Sequence, residues 1–154
     1  MTTEFTWTWK TKILGQIYDV KIYKDNVLFG HIPDIFLNEI AVINSKQFLK
    51  QTHKSHFKHY TFIVDPSAAV VWCQIKEGRN REVFAYIDKN IKYDIGISLD
   101  DNPNQNNNLD VQLYKDEMFF AKSGKLEIRS NENIELLIVC TFYSYFLRLI
   151  DVAV

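Results

Sequence analysis

Cysteine, catalytic signatures and net charge are all scarce in this chain, and each shortage narrows what it can be. Only two cysteines occur, Cys73 and Cys140. Both sit inside apolar runs, Val70-Val71-Trp72-Cys73 and Leu137-Ile138-Val139-Cys140. That setting suits reduced thiols packed as small hydrophobes, and nothing in the pattern supports a disulfide between them. The formal net charge is −1, so no global field steers the protein toward nucleic acid or membrane, and any such binding must be local. The start, Met1-Thr2-Thr3-Glu4-Phe5-Thr6-Trp7, lacks the basic stretch and apolar core of a secretory signal. Together with the cysteines it predicts a cytoplasmic protein.

Catalytic motifs are missing as well. There is no phosphate-binding P-loop and no G-x-G-x-x-G. Ser67, Ser98, Ser123 and Ser144 lie in no G-x-S-x-G elbow. Neither cysteine has the exposed, electropositive surroundings that lower a thiol pKa. Asp100 and Asp101 are neighbours in one polar stretch and do not face each other across a cleft. The pattern assigns no catalytic residue and no cofactor, and it points away from an enzyme.

What the chain does have is apolar and aromatic residues, at 47% hydrophobic and 14% aromatic. Such a composition excludes disorder for its bulk, because disordered chains lack the apolar surface that offsets ordering entropy. A length of 154 residues predicts one domain over 1–154 with a real core. Most of it has a two-residue period. Phe5, Trp7 and Trp9 alternate with Thr6, Thr8 and Lys10, which predicts a strand with aromatics on one side. Residues 17–32 read as a hairpin about Lys24-Asp25-Asn26, since Asp and Asn tolerate left-handed backbone. Further strands are predicted at 60–65, 69–76, 82–88, 91–99, 109–115, 117–121 and 125–130, separated by turn-rich clusters. The stretch 33–59 does not fit a simple strand meander. Residues 100–108, Asp-Asp-Asn-Pro-Asn-Gln-Asn-Asn-Asn, carry no period and are expected to be a mobile loop.

The C-terminal part changes character. Asn131-Glu132-Asn133 offers helix caps, and Glu132 and Glu135 suit the positive end of a helix. From Leu136 to Leu147 no charged residue occurs. A helix over 134–149 would be apolar on every face, and such a helix is buried on all sides. A membrane span needs about 20 apolar residues; Thr141, Ser144 and Arg148 interrupt this stretch. The expected fold is therefore mainly β (α+β), an antiparallel barrel or sandwich of short strands around a hydrophobic C-terminal helix.

Two segments carry a family likeness. The hairpin Tyr18-Asp19-Val20-Lys21-Ile22-Tyr23-Lys24-Asp25-Asn26-Val27-Leu28-Phe29-Gly30 is one, and Glu135-Leu136-Leu137-Ile138-Val139-Cys140-Thr141-Phe142-Tyr143 is the other. In layout the chain resembles the tubby C-terminal-like superfamily, which includes LURP-one-related proteins and phospholipid scramblases. The first segment looks like that family's recurring strand–turn–strand unit, the second like its barrel-filling helix. The resemblance implies a binding or scaffold domain, with phosphoinositide binding as in tubby itself. It carries over no lipid-contacting residue.

The most suggestive polar pattern is Lys46, Lys50, Lys54 and Lys58, spaced by four, with His53, His56 and His59 among them. No carboxylate occurs between Glu39 and Asp65. If 45–59 is helical, the lysines line one face and, with His53, form a stripe able to hold phosphate or an anionic lipid surface. The bland reading is a solvated helix face. The three histidines cannot converge on a metal from one helix, because three-residue steps spread them around it. His31 reads as a packed or surface histidine. Asp100, Asp101, Asn102 and Asp110 look like an oxygen-rich calcium loop but lack the central Gly and closing Glu of one. Trp7, Trp9, Trp72, Phe62 and Tyr86 could stack a ligand, yet strand aromatics are more often core. The leading expectation is a non-enzymatic binding domain using the lysines. The alternative is a protein-interaction module, such as an immunity protein, adaptor or assembly subunit, using Asp88, Asp94, Asp100, Asp101 and Asp110.

Overall fold

A computed structural model describes residues 2–11, 17–34, 40–54, 59–64, 71–77, 83–87, 91–97, 109–115 and 123–152. The strands are β1 (Thr3–Thr11), β2 (Ile17–Lys24), β3 (Val27–Asp34), β4 (Ala41–Ile43), β5 (Lys46–Lys54), β6 (His59–Val64), β7 (Val71–Glu77), β8 (Val83–Ile87), β9 (Ile91–Ile97), β10 (Val111–Lys115) and β11 (Ser123–Ile128). One helix, α1 (Ile134–Val152), follows them. The expected loop at 100–108 and strand at 117–121 lie outside the described residues.

Each strand from β1 to β8 pairs antiparallel with the next, β10 pairs antiparallel with β11, and β1 also pairs antiparallel with β11 through Thr3↔Ile128 to Thr8↔Ser123. The pairings therefore close into a barrel. Eleven strands cannot alternate direction all the way round a ring, so one neighbouring pair must be parallel. That pair is β9 and β10, in the register Val111↔Ile95 to Leu113↔Ile97. A purely antiparallel meander is corrected at this one place. Parallel neighbours need a crossover rather than a hairpin; residues 98–108, between β9 and β10, lie outside the described residues.

Alternation sets the inside. Phe5, Trp7 and Trp9 of β1, Val20 and Ile22 of β2, and Leu126 and Ile128 of β11 are buried, while Thr6, Thr8 and Lys10 are exposed. Helix α1 passes among these side chains, touching β4, β5, β7, β8 and β10. On β1 the Phe142 ring stands edge-on to Trp7 at 5.8 Å, and Tyr145 stacks on Trp9 at 5.0 Å. Contacts from so many strands place the helix within the barrel. Every residue from Leu136 to Tyr145 is buried, as expected for a helix apolar all round. Each such aliphatic or aromatic side chain removed from water contributes about 1.5–3 kcal/mol.

The polar groups on this helix are satisfied locally. The Thr141 hydroxyl donates to the Leu137 carbonyl at 2.7 Å, and that of Ser144 to the Cys140 carbonyl at 2.6 Å. Cys140 is buried. Among the described residues no helix is long and apolar enough to cross a membrane. The helix starts at Asn133, whose carbonyl accepts the first helical bond, from Leu137 N–H at 2.9 Å.

Two hairpins turn on non-glycine residues in left-handed backbone. Lys24 pairs with Val27 across Asp25 and Asn26, both at positive φ. Ile43 pairs with Lys46 across Asn44 and Ser45, again both positive. Two consecutive positive φ values give the turn whose twist matches that of the flanking strands. At Gly124 a side chain is excluded by packing, because a Cβ would overlap the Tyr114 carbonyl oxygen and the Trp7 indole.

Candidate functional site

A helix over 45–59 is not what forms. Residues Lys46–Lys54 are strand β5, paired to β4 and β6. The lysine spacing fits both periods, since four residues are roughly one helical turn and also two full strand alternations. What the pattern hides is distance. In a strand Lys46 and Lys54 lie about 26 Å apart along the backbone, against about 12 Å in a helix.

The compact stripe is therefore divided. Lys46 stands beside the start of α1, where its ammonium is 3.5 Å from the Glu135 carboxylate. Glu135 also accepts a bond from the Asn44 side-chain amide at 3.0 Å. Burial pushes the Glu135 carboxyl upward, but Asn44, its own backbone N–H and Lys46 outweigh that and hold it below its ordinary value. Lys46 thus fastens the β4–β5 turn to the helix. Lys50 and Lys54 occupy backbone positions opposite Ile63 and His59, and His53 lies opposite Tyr60. Lys58 and His56 lie outside the described residues. The register brings Lys54 and His59 together at the end of the β5–β6 hairpin, with His53 next to them.

The acidic set is also divided. Asp94 and Asp110 meet, because Asp110 N–H donates to the Asp94 carbonyl at 3.0 Å and Asp94 N–H to the Asp110 carboxylate at 2.8 Å. The Asp110 carboxylate is committed to backbone, and Lys92 lies 3.7 Å from Asp94. Asp88, Asp100 and Asp101 lie outside the described residues. Among the described residues no three His, Cys, Asp or Glu side chains gather as a metal set. Trp7 and Trp9 are core. The side chains of Phe62 and Trp72 lie outside the described residues.

Asp19 forms a cluster that alternation alone concealed. On β1, Thr8 pairs with Lys21 but Lys10 with Tyr18, so Asp19 and Val20 together oppose Trp9. That is a β-bulge, and Asp19 takes φ 59° in it. Left-handed backbone costs a non-glycine residue roughly 1–2 kcal/mol. The bulge turns the carboxylate onto three neighbours: His31 Nε2 at 2.6 Å, Lys10 at 3.4 Å and Lys21 at 3.9 Å. Partial burial raises the Asp19 pKa, but His31, Lys21 and Lys10 lower it by more. His31, read from sequence as packed or on the surface, is a partly exposed partner of this carboxylate. Opposite charges also offset each other on the neighbouring β11, where Lys125 lies 3.2 Å from Glu127.

The outer surface carries a second unforeseen feature. Among the described residues the exposed large aliphatics are Val27 (68%), Leu28 (54%), Ile40 (41%), Val42 (40%) and Ile91 (42%). The first two open β3, beside the Asp25-Asn26 turn. Ile40 and Val42 stand on the outer side of β4, since Ala41 and Ile43 between and beside them are buried.

The architecture defines a class, a β-barrel filled by its own C-terminal helix. No family model, no curated protein and no solved structure matches the chain.

Proposed function

We propose that this protein is a non-enzymatic protein-interaction module, of the kind that serves as an immunity protein, adaptor or assembly subunit, and that it works with the outside of its barrel. The observation that carries this reading is the start of β3, beside the Asp25-Asn26 turn, where Val27 and Leu28 expose 68% and 54% of their surface. Solvated strand ends beside a turn are ordinarily polar, and adjacent exposed aliphatics mark contact surfaces. Core side chains around α1 occupy the middle of the barrel, which favours recognition at the surface over binding in the lumen. The layout resemblance to tubby-like proteins supports a binding or scaffold role in the same way.

The test replaces Val27 and Leu28 together by serine and compares partner capture from the source cell extract. The expected result is one stoichiometric partner retained by the wild type and lost by the variant at unchanged melting temperature. Equal capture by both would overturn the reading.

A second reading is contact with an anionic lipid surface, phosphoinositides included, through the basic β5–β6 hairpin. It is favoured by the pairing of Lys54 with His59 next to His53 in a stretch free of carboxylates. Near an anionic membrane each lysine contributes on the order of 1 kcal/mol. Liposomes containing phosphoinositide should then bind the wild type in low salt and release it in high salt. Replacing Lys54 and Lys58 by glutamine should abolish that binding.

A further inference from the structure

We infer that the outer face of β3, β4 and β5 is a self-association surface, onto which a second copy of this chain packs its own identical face. The inference rests on reading the outside of the barrel as the working surface, and it names a partner for one region of it. The register places His31 opposite Val42 and Val42 opposite Gln47, a straight row across three strands. Ile40 lies two residues before Val42 on the same side of the chain. Pro33 and Leu49, both half-buried, continue the outer positions of β3 and β5. Outer positions of a half-solvated sheet are normally polar. Here four of six are apolar, and Ile40 and Val42 are 41% and 40% exposed.

Three observations select the occupant. First, the described strands pair into a closed ring. A ring has no open edge for an added strand, so a partner must dock on a face. Second, a two-fold contact sets a patch against itself and doubles any charge it holds. Apart from His31, which pairs with Asp19, these six positions hold no ionisable side chain, so the patch can meet its copy without repulsion. An acidic or basic partner would find no counter-charge on it. Third, the described charges beside the face compensate one another: on the β2 side Asp19 is ringed by Lys10, Lys21 and His31, and at the start of β5 Lys46 pairs with Glu135. The rim therefore presents both signs, as a self-complementary contact requires. Sheets packed face to face interdigitate side chains of this branched kind.

The experiment is sedimentation velocity of the full chain from micromolar to several hundred micromolar. The wild type should sediment faster as concentration rises, toward a dimer. Val42→Lys places two lysines within one two-fold contact, and like charges brought together there should raise the dissociation constant about tenfold or more. Ile40→Lys, just outside β4, should do the same, and it serves if Val42→Lys melts early. Val27→Lys, beside the Asp25-Asn26 turn, should associate like the wild type. A wild type that stays monomeric throughout overturns the inference, as do Val42→Lys and Ile40→Lys proteins that dimerise unchanged. A monomeric wild type that still captures a partner through Val27 and Leu28 would sink the dimer and leave the interaction module standing. Dimerisation without such capture would do the reverse.

Discussion

Replacing Phe142 by alanine tests whether α1 is held inside the barrel. The Phe142 side chain is fully buried and meets the Trp7 ring edge-on, with 5.8 Å between centroids and 78° between planes. Truncation removes most of an aromatic ring from a site lined by β1 and the helix. The lost transfer free energy and the cavity left behind together cost about 3–5 kcal/mol for a Phe→Ala change in a core. The edge-to-face pair, worth about 0.5–1.5 kcal/mol of interaction, favours the upper half of that range. For a chain of this length about 2–4 °C of melting temperature is lost per kcal/mol, which predicts a drop of roughly 6–20 °C. Urea unfolding followed by tryptophan fluorescence would give the free energy, because Trp7 reports on the site directly. Phe142→Asp should be worse and prevent folding, since it leaves an unpaired charge in an apolar interior. A loss below about 1 kcal/mol for the alanine variant, against the 3–5 expected for a buried ring, would mean that the helix does not fill the barrel. So would a soluble aspartate variant as heat-stable as the wild type.

Acid stability should depend on two carboxylates. Asp19 and Glu135 have folded pKa values below their ordinary 3.8 and 4.5, so their stabilisation is present above those values and is lost as pH falls through the lower folded ones. The Asp19→Asn, Glu135→Gln double variant should therefore be less stable at neutral pH and show a flatter loss below about pH 4; an acid limb parallel to that of the wild type would refute this. Gln112 is buried with its Oε1 lacking a partner, and its Nε2 donates only one long bond, to the Leu113 carbonyl at 3.4 Å, so Gln112→Met should be neutral or raise the urea midpoint, because little satisfied hydrogen bonding is lost. A clear loss of stability would refute this.

Much of the fold was legible because the relevant signals are local. Phe5, Trp7 and Trp9 announce an inside by strict alternation, Asp25 and Asn26 announce a turn by their tolerance of positive φ, and the uncharged run from Leu136 announces a helix with no wet face. The segment about Lys46 was misleading for a stated reason: a spacing of four satisfies both periods, and only Phe48 packed opposite Ala41 shows which is used. The parallel pair β9/β10 and the closure of β1 on β11 depend on contacts far apart in the chain, which no local pattern encodes. The Asp19 cluster was hidden because a bulge on a non-glycine residue leaves no mark in composition. Its three partners come from three different strands. The apolar outer face of β3–β5 was equally hidden, since Ile40 and Val42 look like core residues until the neighbouring Ala41 and Ile43 are seen to point inward.

The closure of β1 on β11 has a consequence for how the protein is made. Thr3 waits for Ile128, a partner 128 − 3 = 125 residues later in the chain. At translation rates of about 5–20 residues per second, the first strand leaves the ribosome roughly 6–25 s before its second neighbour exists. Over that interval one side of β1, with Phe5, Trp7 and Trp9 uncovered, is an open template for any other extended chain. The helix that these rings must pack against is synthesised later still. The more slowly the chain is translated, the longer that strand side and its three rings stay uncovered.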